Sequence, residues 1–238
     1  MARNKQAVIL AGGLGTRLRP FTEAIPKSLL PVGEKSILEL QILRLKKFGF
    51  TQIFLATNYK SAYIESFFGN GERLGVDISV SKEEEPLGTC GPLNLIKDRI
   101  IGPFIVMNGD ILTTIDFSKL YDFAIKTGSD FTVVTKEIVI PFAFGNVHSD
   151  GEFITGVEEK PDIKTEVVAG IYVMTQNAFK HIPDNKYFGM DDLIMKMLAG
   201  KEPVAKYVML DLWLDIGQQA DYDEAQKVYE THFNETEL

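Results

Sequence analysis

The chain holds one cysteine, one tryptophan and three histidines. A lone Cys90 excludes an intramolecular disulfide framework and a thiolate metal site. The histidines, His148, His181 and His232, lie outside every motif described below, so the sequence does not point to imidazole acid–base chemistry. No apolar run approaches the length of a membrane span. The opening residues 1–6 lead straight into the four-residue run Ala7-Val8-Ile9-Leu10, too short for a secretory or anchoring segment. Positive charge is also scarce: 25 Lys and Arg against 33 Asp and Glu leave a net charge of −8. That global field disfavours nucleic acid and anionic membrane as partners, although a local basic nest is compatible with it. No repeat or low-complexity linker interrupts the 238 residues, so residues 1–238 are expected to form one domain in a reducing, cytoplasmic setting.

What is present is an alternation. Apolar runs at 7–10, 52–56, 76–80, 103–107 and 131–136 read as strands. Helical periods fall between them at 36–48, 61–68, 91–101 and 117–126, the first closed by Gly49. Strands separated by helices imply β-α-β units, and hence an α/β fold with a mainly parallel sheet flanked by helices. The rhythm then changes. Strands at 144–148, 153–158 and 167–174, with a tight turn at Ser149-Asp150-Gly151, read as a small antiparallel excursion over the sheet. Helices return at 177–181, 191–198 and 219–233, with strands near 204–208 and 212–214.

The most informative segment is Leu10-Ala11-Gly12-Gly13-Leu14-Gly15-Thr16-Arg17-Leu18-Arg19-Pro20, followed by Pro26-Lys27. A buried strand empties into three glycines, which let backbone N–H groups approach an anion. Arg17 and Lys27 add mobile positive charge, so a polyphosphate is the simplest occupant. The P-loop pattern fails because Gly15 is followed by Thr16-Arg17. The dinucleotide fingerprint fails because Leu18 stands where its third glycine belongs. In open α/β sheets ligands sit at the carboxyl ends of the parallel strands, where this loop and Asp110 both fall.

Further motifs follow in order: Glu83-Glu84-Glu85-Pro86-Leu87-Gly88-Thr89, Asn108-Gly109-Asp110, Phe144-Gly145, Glu158-Glu159-Lys160-Pro161, Ala169-Gly170-Ile171-Tyr172 and Trp213-Leu214-Asp215-Ile216-Gly217. Together with the glycine loop they resemble the sugar-1-phosphate nucleotidyltransferases, over almost the whole chain. The resemblance implies a Rossmann-like catalytic domain that joins a nucleoside triphosphate to a sugar 1-phosphate, with Mg²⁺ as cofactor and pyrophosphate as product. Residues of about 1–135 would bind the nucleotide, about 136–217 the sugar, and 218–233 would form a C-terminal helix.

Such a reaction is an in-line displacement at the α-phosphorus. The attacking phosphate is already an anion, so cations and a metal must do the work rather than a general base. Carried over residue by residue, the resemblance gives Arg17, Lys27 and Asp110 catalytic roles. Asp110 and Asp215 would hold the metal, since Mg²⁺ takes one or two carboxylates plus phosphates and waters. Leu10, Ala11, Gly12, Gly13, Gly15 and Thr16 would line the nucleotide with Arg17 and Lys27, joined by Gly88 and, near the ribose, Asn108. Glu159 and Lys160 would bind sugar hydroxyls and the sugar phosphate, with Gly145 and Gly170 making room for the ring.

Guanine presents adjacent N1–H and N2–H₂ donors, which a carboxylate can read, and by position Glu83 is favoured over Glu85 for that contact. The string Glu85-Pro86-Leu87-Gly88-Thr89-x-Gly91-Pro92-Leu93 most resembles mannose-1-phosphate guanylyltransferases, which makes GTP the favoured triphosphate. Uridylyl-, cytidylyl- and thymidylyltransferases remain open, as does a non-catalytic paralogue that senses a nucleotide sugar. Val168 stands where those guanylyltransferases carry a sugar-binding asparagine, so an amino, deoxy or otherwise modified sugar is an alternative to mannose. A C-terminal β-helix domain, common among relatives, is expected to be lacking. Homo-oligomerisation is left open.

Overall fold

The structure, a computed structural model, describes residues 5–233. The chain start and the tail from 234, both within the expected 1–238 domain, lie outside the described residues. Seven strands build the main sheet: β1 (Lys5–Leu10), β2 (Phe50–Thr57), β3 (Asp77–Lys82), β4 (Phe104–Asn108), β5 (Phe131–Pro141), β6 (Asp162–Met174) and β7 (Val204–Val208). Their order is β7-β5-β6-β4-β1-β2-β3. β1 runs parallel to β2 and β4, β2 to β3, and β5 to β7; β6 alone runs antiparallel, wedged between β4 and β5. The longer helices are α1 (Ile37–Lys47), α2 (Ser61–Phe68), α3 (Phe117–Thr127), α4 (Met190–Ala199) and α5 (Gln219–His232). This is the expected mixed, mainly parallel sheet flanked by helices.

Both faces of the sheet are covered, which is why β1 is apolar without alternation. Ala7 and Ile9 pack into one cluster with Leu38, Leu55, Ile105 and Ile171. Val8 points the other way, into a cluster with Phe54, Val106, Leu193 and Met197. A third cluster joins Leu18, Leu30, Ile37, Leu40, Leu112, Ile216 and Val228, tying the glycine loop to the C-terminal helix. α1 sits between the first and third clusters and is buried nearly all round. Ser36 caps it by accepting the Glu39 N–H.

Four expectations need correction. Residues 91–101 are not an α-helix but a 3₁₀ run, Gly91–Arg99. Its bonds reach back three residues, as in Leu93 N–H to Cys90 O, while the Cys90 and Gly91 N–H groups are both taken by Phe188 O. The short helix near 177–181 is likewise 3₁₀, Gln176–His181. The strand placed at 144–148 is Asn146–Asp150, paired with Phe153–Glu158 around the Gly151 turn.

The fourth correction concerns residues 167–174, which belong to the main sheet and not to an excursion. β6 begins at Asp162 and pairs with β5 out to Pro141. The outer halves of β5 and β6 therefore form a ribbon carrying the Asn146–Glu158 hairpin, the hairpin exposed throughout apart from Gly156. Three small pieces went unanticipated: the paired strands Pro31–Val32 and Lys35–Ser36, the one-turn helix Phe21–Ala24, and the strand Ile111–Thr113 that pairs with Trp213–Asp215. Among the described residues no helix is long and apolar enough to cross a membrane.

Candidate functional site

The glycine loop leaves the carboxyl end of β1 beside that of β4. The Asn108-Gly109-Asp110 turn is tied to β1 by a 2.9 Å bond from Gly109 N–H to Leu10 O. A Cβ on Gly109 would lie 2.7 Å from that same carbonyl, so only glycine permits the approach. Gly15 adopts φ +61°, and its carbonyl accepts the Thr22 hydroxyl at 2.8 Å. Leu18, fully buried beside Ile216, pins the short helical turn Thr16–Leu18. Arg17 is thereby left exposed with its guanidinium alongside Gly217; a Cβ there would stand 3.2 Å from Nη2.

Asp110 and Asp215 are brought together by strand pairing. Asp215 is the antiparallel partner of Ile111, and Ile216 N–H donates to Asp110 O at 2.9 Å. The Lys27 ammonium pairs with Asp110 Oδ2, while Asp110 Oδ1 is buried with no hydrogen-bond partner. Partial burial and then the Asp110 charge push the Asp215 carboxyl above the usual carboxylate range, with Lys27 and Arg17 pulling it back. Two carboxylates that repel each other, one with a buried oxygen left unpaired, fit a hard divalent cation. Among the described residues no group of three or more His, Cys, Asp or Glu gathers as a metal cluster; a Mg²⁺ ion that draws its other ligands from phosphates and water needs none.

Two cavities meet at this point. The first, about 360 Å³, is lined by Gly12, Gly13, Asn58, Glu83, Gly88, Asn108, Asp110 and their neighbours. The second, about 430 Å³, is bounded by Asn108, Val168, Gly170, Tyr172, Asp191, Trp213 and Asp215 among others. Asn108 and Thr89 border both; Asp110 lines the first cavity, and Asp215 with Asp191 the second. A small pocket of about 40 Å³ under the loop takes in Ala11, Lys27 and Ser28, and the Ser28 hydroxyl is buried without a partner there.

Of the three consecutive glutamates only Glu83 is buried. Its Oε2 accepts the Leu87 N–H at 2.7 Å, and its Oε1 lies 3.3 Å from where a Cβ on Gly12 would sit. Burial raises its carboxyl and the Leu87 bond lowers it. Gly88, at φ +83°, lies against the Phe188 backbone, where a Cβ would come 2.7 Å from the carbonyl oxygen.

The sugar-side residues divide. Gly170, at φ +68°, packs under the Asn108 amide and lines the second cavity. Gly145, Glu159 and Lys160 stand together on the exposed ribbon and line neither the first nor the second cavity. Thr16, Gly15 and Arg17 likewise lie outside both linings. Tyr187 lines the first cavity from the segment before α4. Sequence reasoning missed Asn58 and Asp191, which face the cavities from the loop after β2 and from the first turn of α4. Neither carries a spacing signal; an asparagine in a loop and an aspartate in a helix's first turn are ordinary surface residues until the fold brings them round.

This combination of a parallel sheet, a glycine-lined loop and two converging aspartates at its carboxyl edge is that of a nucleotidyltransferase. A nucleotidyl transferase family model matches residues 6–232, and the chain belongs to that family. It is 34% identical over 222 residues to the mannose-1-phosphate guanylyltransferase of Mycobacterium tuberculosis, covering 91% of this chain and 62% of that protein. It is 33% identical over 233 residues to the rice protein named "Probable mannose-1-phosphate guanylyltransferase 1", covering 94% and 64%. The chain thus spans a little under two thirds of these relatives. Among solved structures it resembles HddC from Yersinia pseudotuberculosis, with TM-score 0.76, 27% identity and coverage of 94% and 99%; that protein is also known complexed with GMP-PN.

Proposed function

We propose that this protein transfers GMP from GTP to a sugar 1-phosphate, giving a nucleotide sugar and pyrophosphate. The observation that carries this reading is the convergence of Asp110 and Asp215 beside Lys27, where the two cavities meet. The first cavity has the glycine loop for the triphosphate and a buried carboxylate for the base. The second takes the sugar phosphate, whose oxygen can then approach the α-phosphorus from the side opposite the leaving pyrophosphate.

Asp110 and Asp215 would hold Mg²⁺, which when bound neutralises phosphate charge and draws the two anions together. Lys27 exchanges its pairing with Asp110 for the α-phosphate as charge develops. Arg17 steadies the β- and γ-phosphates. No protein base is needed, because the nucleophile is an ionised phosphate. Positioning and charge stabilisation carry the rate.

Glu83 Oε1 is the acceptor for guanine N–H donors, a reading supported by the guanylyltransferase names of the relatives. For the sugar, Ile138, Val167, Val168, Met190 and Ile194 give the second cavity a largely apolar wall. Such a wall favours a sugar with fewer hydroxyls on that side. Lys160 and Glu159 reach the sugar phosphate and hydroxyls from the ribbon if the hairpin folds over the bound ring.

The test is pyrophosphate release measured across four nucleoside triphosphates and a panel of sugar 1-phosphates that includes mannose, glucose, amino and deoxy sugars. GTP-dependent release with one sugar is the expected result. A preference for UTP, CTP or dTTP would move the protein to another branch of the same chemistry. Tight nucleotide-sugar binding without turnover would make it a sensor.

A further inference from the structure

The turn that carries Asp110 is short, and one buried side chain bridges its two ends. Gln41, on α1 and 3% exposed, donates its Nε2 amide to Asn108 O at 2.8 Å and to Ile111 O at 2.7 Å. Those carbonyls flank Gly109-Asp110 on either side. The same amide's Oε1 is buried without a hydrogen-bond partner, which carries a desolvation cost. The reverse orientation would aim that oxygen at two carbonyls, so the network fixes which way the amide points.

We propose that Gln41 is a positioning residue for the two aspartates. It touches neither a reacting atom nor a carboxylate; it sets the span from Asn108 to Ile111, and so the direction in which Asp110 leaves the backbone. The effect reaches Asp215 through the pairing of Ile111 with Asp215 and the Ile216 N–H bond to Asp110 O. Gly109 N–H on Leu10 O holds the turn from the glycine-loop side, and Gln41 holds both ends from behind. Without the amide donors the turn is free to relax and the carboxylates lose their mutual geometry. This inference rests on the reading that Asp110 and Asp215 hold a divalent cation.

The same helix supplies an internal control. Arg44 donates Nη2 to Thr114 O at 2.8 Å and to Ile115 O at 3.2 Å, repeating the pattern further along the chain from Asp110. Gln41→Met and Arg44→Met each remove two bonds from α1 to this segment. The full-length variants are titrated with Mn²⁺ alone, free ion being read by electron paramagnetic resonance, and thermal unfolding is followed with and without Mn²⁺.

Both variants are expected to unfold at lower temperature. Only Gln41→Met should lose Mn²⁺ affinity, by about 10- to 100-fold, the range seen when partners of metal ligands are removed. Its kcat should fall more than either substrate KM rises. Gln41→Asn, which keeps the amide but not its reach, is the milder variant if methionine prevents folding, and the same selective loss is expected of it. Equal Mn²⁺ affinity in wild type and the Gln41 variants, or equal loss in the Arg44 variant, overturns the positioning role while leaving the metal site standing. A wild-type protein that binds no Mn²⁺ removes the metal site, and this inference with it.

Discussion

Lys27 and Asp110, far apart in the chain, meet as an ion pair in which both side chains are mostly buried, 12% and 27% exposed. The pair closes the seam between the glycine loop and β4, so the cation rests beside the carboxylate before any ligand is bound. Asp110→Asn is expected to lower turnover by about 10³-fold or more, the scale of losing a group that stabilises developing charge. Its urea unfolding midpoint should stay near that of wild type. Turnover close to normal in this variant would remove Asp110 from the metal site.

Lys27→Met should act on stability as well as rate, because it strands a mostly buried carboxylate. A loss of about 1–3 kcal/mol is expected, most of it recovered when Asp110→Asn is added. Denaturant unfolding of both single variants and the double variant measures the coupling. Strict additivity would mean that the pair makes no contact in solution.

The acid side of the stability curve should report Asp215. Partial burial and the Asp110 charge hold its folded pKa above the unfolded value. A raised carboxyl contributes stability that is present below the unfolded value and lost as pH rises through the folded one. Metal-free Asp215→Asn should therefore unfold at a higher temperature than wild type at neutral pH, with the gap closing as pH falls into the carboxylate range. Thermal melts in chelator across that range decide it; a gap that widens on acidification would contradict the repulsion.

Base selection offers another handle. With Oε2 committed to the Leu87 N–H, Glu83 has only Oε1 left for the guanine contact proposed above. Glu83→Gln is expected to cut kcat/KM for GTP by about 10- to 100-fold, the scale of one hydrogen bond to a charged group. Turnover with ATP should change little. If both nucleotides decline in parallel, Glu83 is holding the loop and not reading the base.

Gly170→Ala tests the cavity floor. The new methyl would come 2.6 Å from Asn108 Nδ2 and 2.7 Å from Ile111 Cδ1, at a backbone φ of +68°. Strain and overpacking together should cost about 1–3 kcal/mol, and displacing Asn108 should raise the KM of both substrates. Unchanged melting and kinetics would show that the turn has slack there.

Much of this was legible from residue order because parallel strands buried on both faces leave unbroken apolar runs, as in Ala7 to Leu10. The two aspartates were legible as well, each closing an apolar stretch. What stayed hidden was placement. The run Val167-Val168-Ala169-Gly170-Ile171-Tyr172 reads as an antiparallel strand, but nothing in it says that it is inserted into the main sheet between β4 and β5 and does not lie over it. Ile111–Thr113 is too short to show a period. Gln41 is one polar residue within the helical period of 36–48, and nothing local says that a buried backbone turn waits opposite. The 3₁₀ run after Cys90 was set by Phe188, almost a hundred residues away.

That placement has a mechanical consequence. The inner half of β6 is clamped between two neighbours, its outer half swings out as an arm, and the ladder slips between them around Gly170. Gly170 is also where the strand passes beneath Asn108. The arm thus leaves the sheet at the floor of the second cavity, on a residue whose missing side chain leaves the backbone there its widest conformational choice.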